Sequence, residues 1–248
     1  MMQHNKLEIL HLTKRFGEKT LFEDLNLTVE EPAVLWAPSG WGKTTLLRVL
    51  MGLETPTSGS VQGVGRVSAV FQEDRLCPQL NAVQNVALVL PGLEIQYKEQ
   101  IEICFQQLGL DSTALVLPAR KLSGGQKRRV ALLRALLAPS DTLLLDEPFG
   151  ALDAQTRRHM QELTLQMWRK YPKTVIMVTH DVEEAILMAD RVVIMSAHPG
   201  CVREVLEIDI PRPRDAAVKR TEQFRKYKKY CTDIILEESQ KAEMRIED

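Results

Sequence analysis

The sequence predicts an α/β fold with a mainly parallel sheet, on three observations. A short apolar run, 33–36, leads into a glycine-rich loop and then into a helical pattern. Further short apolar segments at 66–71, 142–145, 174–178 and 191–195 are separated by helical stretches, the alternation that lays helices on both faces of a parallel sheet. Two earlier segments, 7–12 and 21–29, alternate with period two about a turn near Gly17, as strands do, and add two early strands to the α/β core.

The elements follow in order. From Lys43 the segment KTTLLRVLMGL carries its leucines and Val49 at helical spacing and ends at Gly52, so the loop opens a helix. Between Phe71 and the next core strand lie about seventy residues read mostly as helices, at 81–90, 97–108 and 123–137. They form a helical subdomain, 73–138, inserted into a core made of 1–72 and 139–210. After Gly200 the segment 201–210 alternates again, IPRPRD breaks it, and 216–243 is charged and helical in pattern, within a C-terminal tail spanning 211–248.

Composition narrows the function classes. The 248 residues, 44% hydrophobic and 26% charged, have the make-up of a globular protein. A formal charge of -1 argues against a general nucleic-acid binder, which needs a basic surplus to neutralise phosphates. The basic runs Lys127-Arg128-Arg129 and 225–230 read as solvated helix faces. Cys77, Cys104, Cys201 and Cys231 form no C-x-x-C pair, so the expected setting is reducing and cytosolic. The N-terminus MMQHNKLEIL lacks the pattern of a secretory leader, and no apolar run approaches the roughly 18 residues of a membrane span. Service to a membrane would therefore go through a partner.

Three motifs carry chemistry. The loop APSGWGKTT, 37–45, matches the phosphate-binding pattern G-x-x-x-x-G-K-[ST] except that Ala37 replaces the first glycine, and Trp41 stands between Gly40 and Gly42. Such a loop presents consecutive backbone N–H groups and a helix N-terminus to phosphate. Lys43 would bridge the outer phosphates and Thr44 would offer its hydroxyl to Mg²⁺. Ala37 is harmless if its φ is negative. The second motif, the apolar strand of DTLLLDEP, ends in Asp146 and Glu147, at the strand end where ligands of a parallel sheet sit. Asp146 is placed to hold Mg²⁺ through water, and Glu147 to polarise an attacking water. The third motif is Leu122-Ser123-Gly124-Gly125-Gln126.

LSGGQ resembles the signature of the ATP-binding cassette (ABC) ATPases. With the loop, the acidic strand end, Gly150-Ala-Leu-Asp153 and Val178-Thr-His180-Asp181 in the family's order, the resemblance covers nearly the whole chain. It implies a P-loop NTPase cassette: a RecA-like, mainly parallel core, an antiparallel N-terminal β subdomain and an inserted α-helical subdomain. It also implies an ATP site completed by two subunits, expected to be a homodimer. In that site Phe16 stacks on adenine, a contact worth about 1–3 kcal/mol in base-stacking systems. Ser39, Gly40, Trp41, Gly42, Lys43, Thr44 and Thr45 line the phosphates, and Gln72 contacts Mg²⁺ and the water. His180 is the switch histidine at the γ-phosphate. Ser123, Gly124, Gly125 and Gln126 meet the ATP of the opposite subunit, and Asp153 links the two sites. The Trp41 side chain is expected to point away from the phosphates, towards a rim facing the opposite signature.

The resemblance further implies a transporter ATPase at the cytoplasmic face of a membrane, bound to integral-membrane permease subunits and served by a solute-binding protein, with no nucleic-acid partner. The stretch from Asp181 to Gly200, with Ser-Ala-His-Pro-Gly and the later Ile-Pro-Arg-Pro-Arg-Asp, looks like the nitrate, sulfonate and taurine importer group. Leu76-Cys77-Pro78-Gln79 stands where that group often has Leu-Pro-Trp, so residues 77–85, expected to meet the permease, answer to a divergent partner. A soluble ATPase module in assembly or regulation is the alternative. A small-molecule kinase does not account for LSGGQ.

Overall fold

The computed structural model describes residues 6–30, 32–38, 40–150, 152–170, 173–196, 199–215 and 217–244. The chain divides into two compact units, one made of Met1–Gly65 with Thr174–Asp248 and the other of Arg66–Lys173.

In the first unit, β1 (Leu7–Phe16), β2 (Lys19–Val29) and β4 (Ser58–Gln62) form an antiparallel sheet ordered β2-β1-β4. Leu7 and Ile9 of β1 and Leu25, Leu27 and Val29 of β2 are buried in period two, and a register shift at His11, φ 50°, makes Leu12 the next inward side chain of β1. A second set of strands comprises β3 (Ala33–Trp36), β7 (Thr174–Thr179), β8 (Arg191–Met195) and β9 (Val202–Glu207). Here β3 lies between β7 and β8, parallel to both, and β9 closes the edge antiparallel to β8. All residues of β3 and β7 are buried, which explains why both read as unbroken apolar runs.

Helices α1 (Lys43–Leu50), α7 (Val182–Met188) and α8 (Glu222–Met244) complete this unit. The segment read as IPRPRD is tied down by Arg214, which is buried and donates to the carbonyls of Ile186, Ala189, Ile208 and Ile210. Helix α8 is joined to α7 by Lys228, whose ammonium lies 2.6 Å from Glu183.

The second unit holds a parallel pair, β5 (Val67–Val70) and β6 (Thr142–Asp146), with Val70 opposite Leu145. Its helices are α2 (Ala82–Ala87), α3 (Glu94–Gln107), α4 (Ser112–Val116), α5 (Gly124–Leu137) and α6 (Ala154–Lys170). Four of their N-termini carry side-chain caps: Asn81 accepts from the N–H of Gln84, Asp111 from that of Ala114, Ser123 from that of Gln126 and Asp153 from that of Thr156. These satisfy donors that a helix end otherwise leaves open. Asn85, wholly buried, bonds the carbonyls of Cys77, Leu80 and Asn81 and the N–H of Cys77, fixing the turn that precedes α2. No helix among the described residues is long and apolar enough to cross a membrane.

Candidate functional site

In the first unit the phosphate loop leaves the buried end of β3. Ala37 is fully buried and is not among the residues with positive φ, so alanine sits there without the strain that a left-handed backbone would impose. The left-handed positions are Gly40, φ 86°, and Gly42, φ 83°. A Cβ on Gly42 would lie 2.7 Å from the Phe22 ring, so glycine is required there on two counts. Gly42 is also the residue that opens α1, with no side-chain cap, which leaves the first backbone N–H groups of the helix available to an anion.

Lys43 is buried, and its ammonium donates to the carbonyls of Ala37 and Pro38 at 2.7 and 2.8 Å. The loop thus curls around its own lysine, holding a positive charge within it. Thr44 is exposed and Thr45 half-buried. Ser39 lies outside the described residues.

Trp41 departs from expectation. Only 9% of its surface is accessible, whereas a side chain standing on a rim for a partner subunit would be open to solvent. The indole is packed as core, and burying so large an apolar surface outweighs the preference of a loop residue for water.

Phe16 is 49% exposed, as a stacking platform requires and a core phenylalanine does not. The Lys14 ammonium lies 4.5 Å from its ring centroid. His180 follows β7 and is exposed, and its carbonyl accepts from the Trp36 indole N–H at 3.2 Å. Because Trp36 pairs with Thr179, the start of the phosphate loop and His180 lie at the same end of the same pair of parallel strands. Asp181 caps α7, accepting from the N–H groups of Glu183 and Glu184.

In the second unit, Asp146 ends β6 and is 3% exposed, while Glu147 is half-buried with φ 47°. A left-handed backbone costs an L residue roughly 1–2 kcal/mol, and such strain gathers at functional sites. Gln72, just beyond β5, is exposed. The parallel register of β5 and β6 brings Gln72 and the acidic pair to one strand end. Ser123 caps α5 reciprocally: its hydroxyl accepts from the Gln126 N–H at 3.3 Å, and the Gln126 side-chain Oε1 accepts from the Ser123 N–H at 2.9 Å. Ser123 and Gly124 are exposed, while Gly125 and Gln126 are half-buried. Asp153 is exposed and accepts from the Thr156 N–H at 2.9 Å, a bond that holds its carboxyl below the usual carboxylate range.

One residue of this unit was misread from the sequence. Arg128, expected on a solvated face, is 5% exposed. It donates from Nε to the Pro148 carbonyl at 2.8 Å and from Nη2 to the Glu147 carbonyl at 2.6 Å. The signal lay in helical spacing: Arg128 shares a stripe with Ala131, Leu132 and Ala135, all buried. A run of three cations hid it.

The residues that carry the resemblance are thus divided between the two units, the phosphate loop, Phe16 and His180 in the first and Gln72, Ser123, Asp146, Glu147 and Asp153 in the second. A family model described as ABC transporter matches residues 22–150. An ABC transporter ATP-binding protein of Methanocaldococcus jannaschii is 39% identical over 96% of this chain and 94% of its own length. The chain belongs to the ABC transporter family. Other ABC relatives include an aliphatic sulfonates import ATP-binding protein of Rhodococcus jostii, 44% identical over 84% of this chain and 85% of that protein. The taurine import ATP-binding protein of Escherichia coli K12 is 40% identical over 94% and 98% of the two chains. Among solved structures, a dimeric ATP-binding cassette in a post-hydrolysis state with ADP and Pi superimposes with a TM-score of 0.71 at 26% identity, covering 83% of this chain and all of that one. The fold is accordingly that of an ABC ATPase cassette.

Proposed function

We propose that this chain is the ATP-binding and ATP-hydrolysing subunit that energises an ABC importer, acting at the cytoplasmic face of a membrane on permease subunits. The relatives named for sulfonate and taurine import support a nitrate-, sulfonate- or taurine-like or related small solute, delivered by a solute-binding protein. The dimeric cassettes among the structural neighbours support a working dimer, which we take to be a homodimer. Segment 73–138 is the signature-bearing subdomain of the core formed by 1–72 and 139–210, and 211–248 its tail.

The observation that carries the reading is the loop with two left-handed glycines and Lys43 drawn into it, a cradle with no use unless a phosphate chain enters. Binding of ATP would turn the Lys43 ammonium from the carbonyls of Ala37 and Pro38 to the outer phosphates. Ser39 to Thr45 donate backbone N–H groups and hydroxyls to the phosphates, and Phe16 stacks on adenine. Thr44, Asp146 and Gln72 offer a hydroxyl, a carboxylate and an amide oxygen. That donor set suits Mg²⁺, a hard cation that takes oxygen ligands and that supplies charge neutralisation at the β- and γ-phosphates when bound.

Glu147 acts as base or orients the attacking water, and His180 donates to the γ-phosphate. Ser123, Gly124, Gly125 and Gln126 serve the ATP of the opposite subunit through a hydroxyl and a helix N-terminus. Asp153 links the two sites.

Replacement Glu147→Gln tests this. Positioned general bases contribute about 10²–10⁴-fold, so turnover falls by that order while ATP is still bound and the variant accumulates as a dimer in size-exclusion chromatography. Wild-type turnover in that variant removes Glu147 from the mechanism.

A further inference from the structure

We propose that Arg128 is a positioning residue for hydrolysis: its buried guanidinium spans the ends of β5 and β6 and holds the left-handed backbone of Glu147, which aims the carboxylate. The proposal rests on the reading of Glu147 as the group that orients the water. All three guanidinium nitrogens are engaged. Nη2 donates to the Glu147 carbonyl at 2.6 Å and to that of Asp146 at 3.3 Å, and Nε donates to Pro148 at 2.8 Å. Nη1 donates to the carbonyls of Phe71 and Gln72, the latter at 3.3 Å, and lies 3.4 Å from the Asp74 carboxylate. One side chain therefore grips consecutive carbonyls on either side of the residues proposed to meet the water and the metal.

The geometry gives this grip a consequence beyond packing. Glu147 stands at φ 47°, a conformation that an unrestrained glutamate leaves. Relaxation to negative φ would reorient both the Glu147 carbonyl, breaking the 2.6 Å bond, and the Cα–Cβ bond that carries the carboxylate. Only a planar fork can serve carbonyls on two strand ends at once; a lysine ammonium is a single point. Arg134, two turns further along α5, donates to the carbonyls of Asp74 and Arg75, so the helix that begins at the signature holds 71–75 along its length. Burial presses the Arg128 pKa down and the Asp74 pKa up, each offset by the other's charge.

Two variants of the full chain, Arg128→Lys and Arg128→Gln, test the idea beside Arg129→Lys. Arg129 sits on the same helix and donates to the carbonyls of Leu108 and Gly109, away from the acidic turn. Misplacement of a reacting group by an ångström costs up to about 100-fold. Arg128→Lys is expected to lower kcat by roughly 10- to 100-fold with KM for ATP changed less than about threefold, whereas Arg129→Lys keeps wild-type values. In a Glu147→Gln background, Arg128→Lys should lower the residual turnover less than about twofold, since the group it aims is gone.

Wild-type kcat in Arg128→Lys overturns the proposal. So does an equal loss in the Glu147→Gln background, or failure of both Arg128 variants to fold, which would assign the residue to stability alone. If Glu147→Gln itself turns over at the wild-type rate, the reading of Glu147 falls first, and a slow Glu147→Gln beside a fast Arg128→Lys removes Arg128 only.

Discussion

Gly42→Ala separates the two reasons for which the phosphate loop requires glycine. The backbone reason is the φ of 83°, worth roughly 1–2 kcal/mol for any residue with a Cβ. The steric reason is that the new methyl group would stand 2.7 and 2.9 Å from two carbons of the Phe22 ring and 3.0 Å from Leu21 Cγ. Phe22 cannot withdraw freely: it is fully buried, and a Cβ built on Gly200 would already meet the same ring at 3.1 Å. Overpacking of this kind costs about 1–3 kcal/mol, so Gly42→Ala should destabilise the protein by about 2–5 kcal/mol.

Gly40→Ala is the internal control. Its φ is 86°, yet no atom lies within 4 Å of the position a Cβ would take, so only the backbone contribution of roughly 1–2 kcal/mol remains. Urea unfolding of both variants gives the comparison directly. Phe22→Leu combined with Gly42→Ala should recover about 1–3 kcal/mol relative to the sum of the single losses, since the two sites share one contact. Equal destabilisation by the two glycine substitutions, with no coupling to Phe22, would refute the steric argument.

Two further outcomes concern cations that donate to backbone carbonyls, Lys173 half-buried and Arg214 buried. Lys173 donates to the carbonyl of Ala138 at 2.6 Å and to the Ser140 hydroxyl at 2.9 Å, and burial lowers its pKa from 10.5 to about 8. Between those two values the unfolded chain binds more protons than the folded one, so stability should rise with pH from about 8 towards 10.5. Comparison of urea midpoints with Lys173→Met across that range checks it, because the variant lacks this component of the rise. Arg214→Met removes the donor shared by four carbonyls. With each orphaned buried group costing about 1–3 kcal/mol, thermal unfolding should show a loss of at least about 3 kcal/mol, and a loss below 1 kcal/mol would mean that water replaces the guanidinium.

β1, β2 and β9 were legible from alternation, and the other strands that the sequence made plain from continuous apolar runs. β3, β6, β7 and most of β8 are buried along their length, so a continuous apolar run and a strand are the same thing there. β4, Ser58–Gln62, went unread because its residues are mostly exposed and Val61 is its single apolar side chain. It is a strand because β1 offers an edge, with Ile9 opposite Val61, and that information lies fifty residues away. Helix α2 ends at Ala87, earlier than the apolar pattern suggests, because the chain tightens into i→i+3 bonds at Val89 and Leu90 before Pro91 and Gly92.

At the site, residue types were legible and conformations were not. APSGWGKTT announces a phosphate loop, but whether Ala37 is strained depends on a φ that no motif states. LDEP announces an acidic strand end, yet neither the left-handed turn at Glu147 nor the buried Arg128 beneath it is stated by the motif, and the charge run on α5 disguised Arg128 as surface. The same error would misplace Lys173 and Arg214. Each is a cation whose donors end on backbone carbonyls at strand and helix termini, where the chain's own dipoles leave partial negative charge. A net charge of -1 balances carboxylates against cations and suggests surface pairing. The structure places Arg128 and Arg214 inside, where each bonds several peptide carbonyls and lies 3.4 and 3.5 Å from a single carboxylate, Asp74 and Asp190 respectively. A basic residue on an apolar helical stripe is therefore better read by its stripe than by its charge.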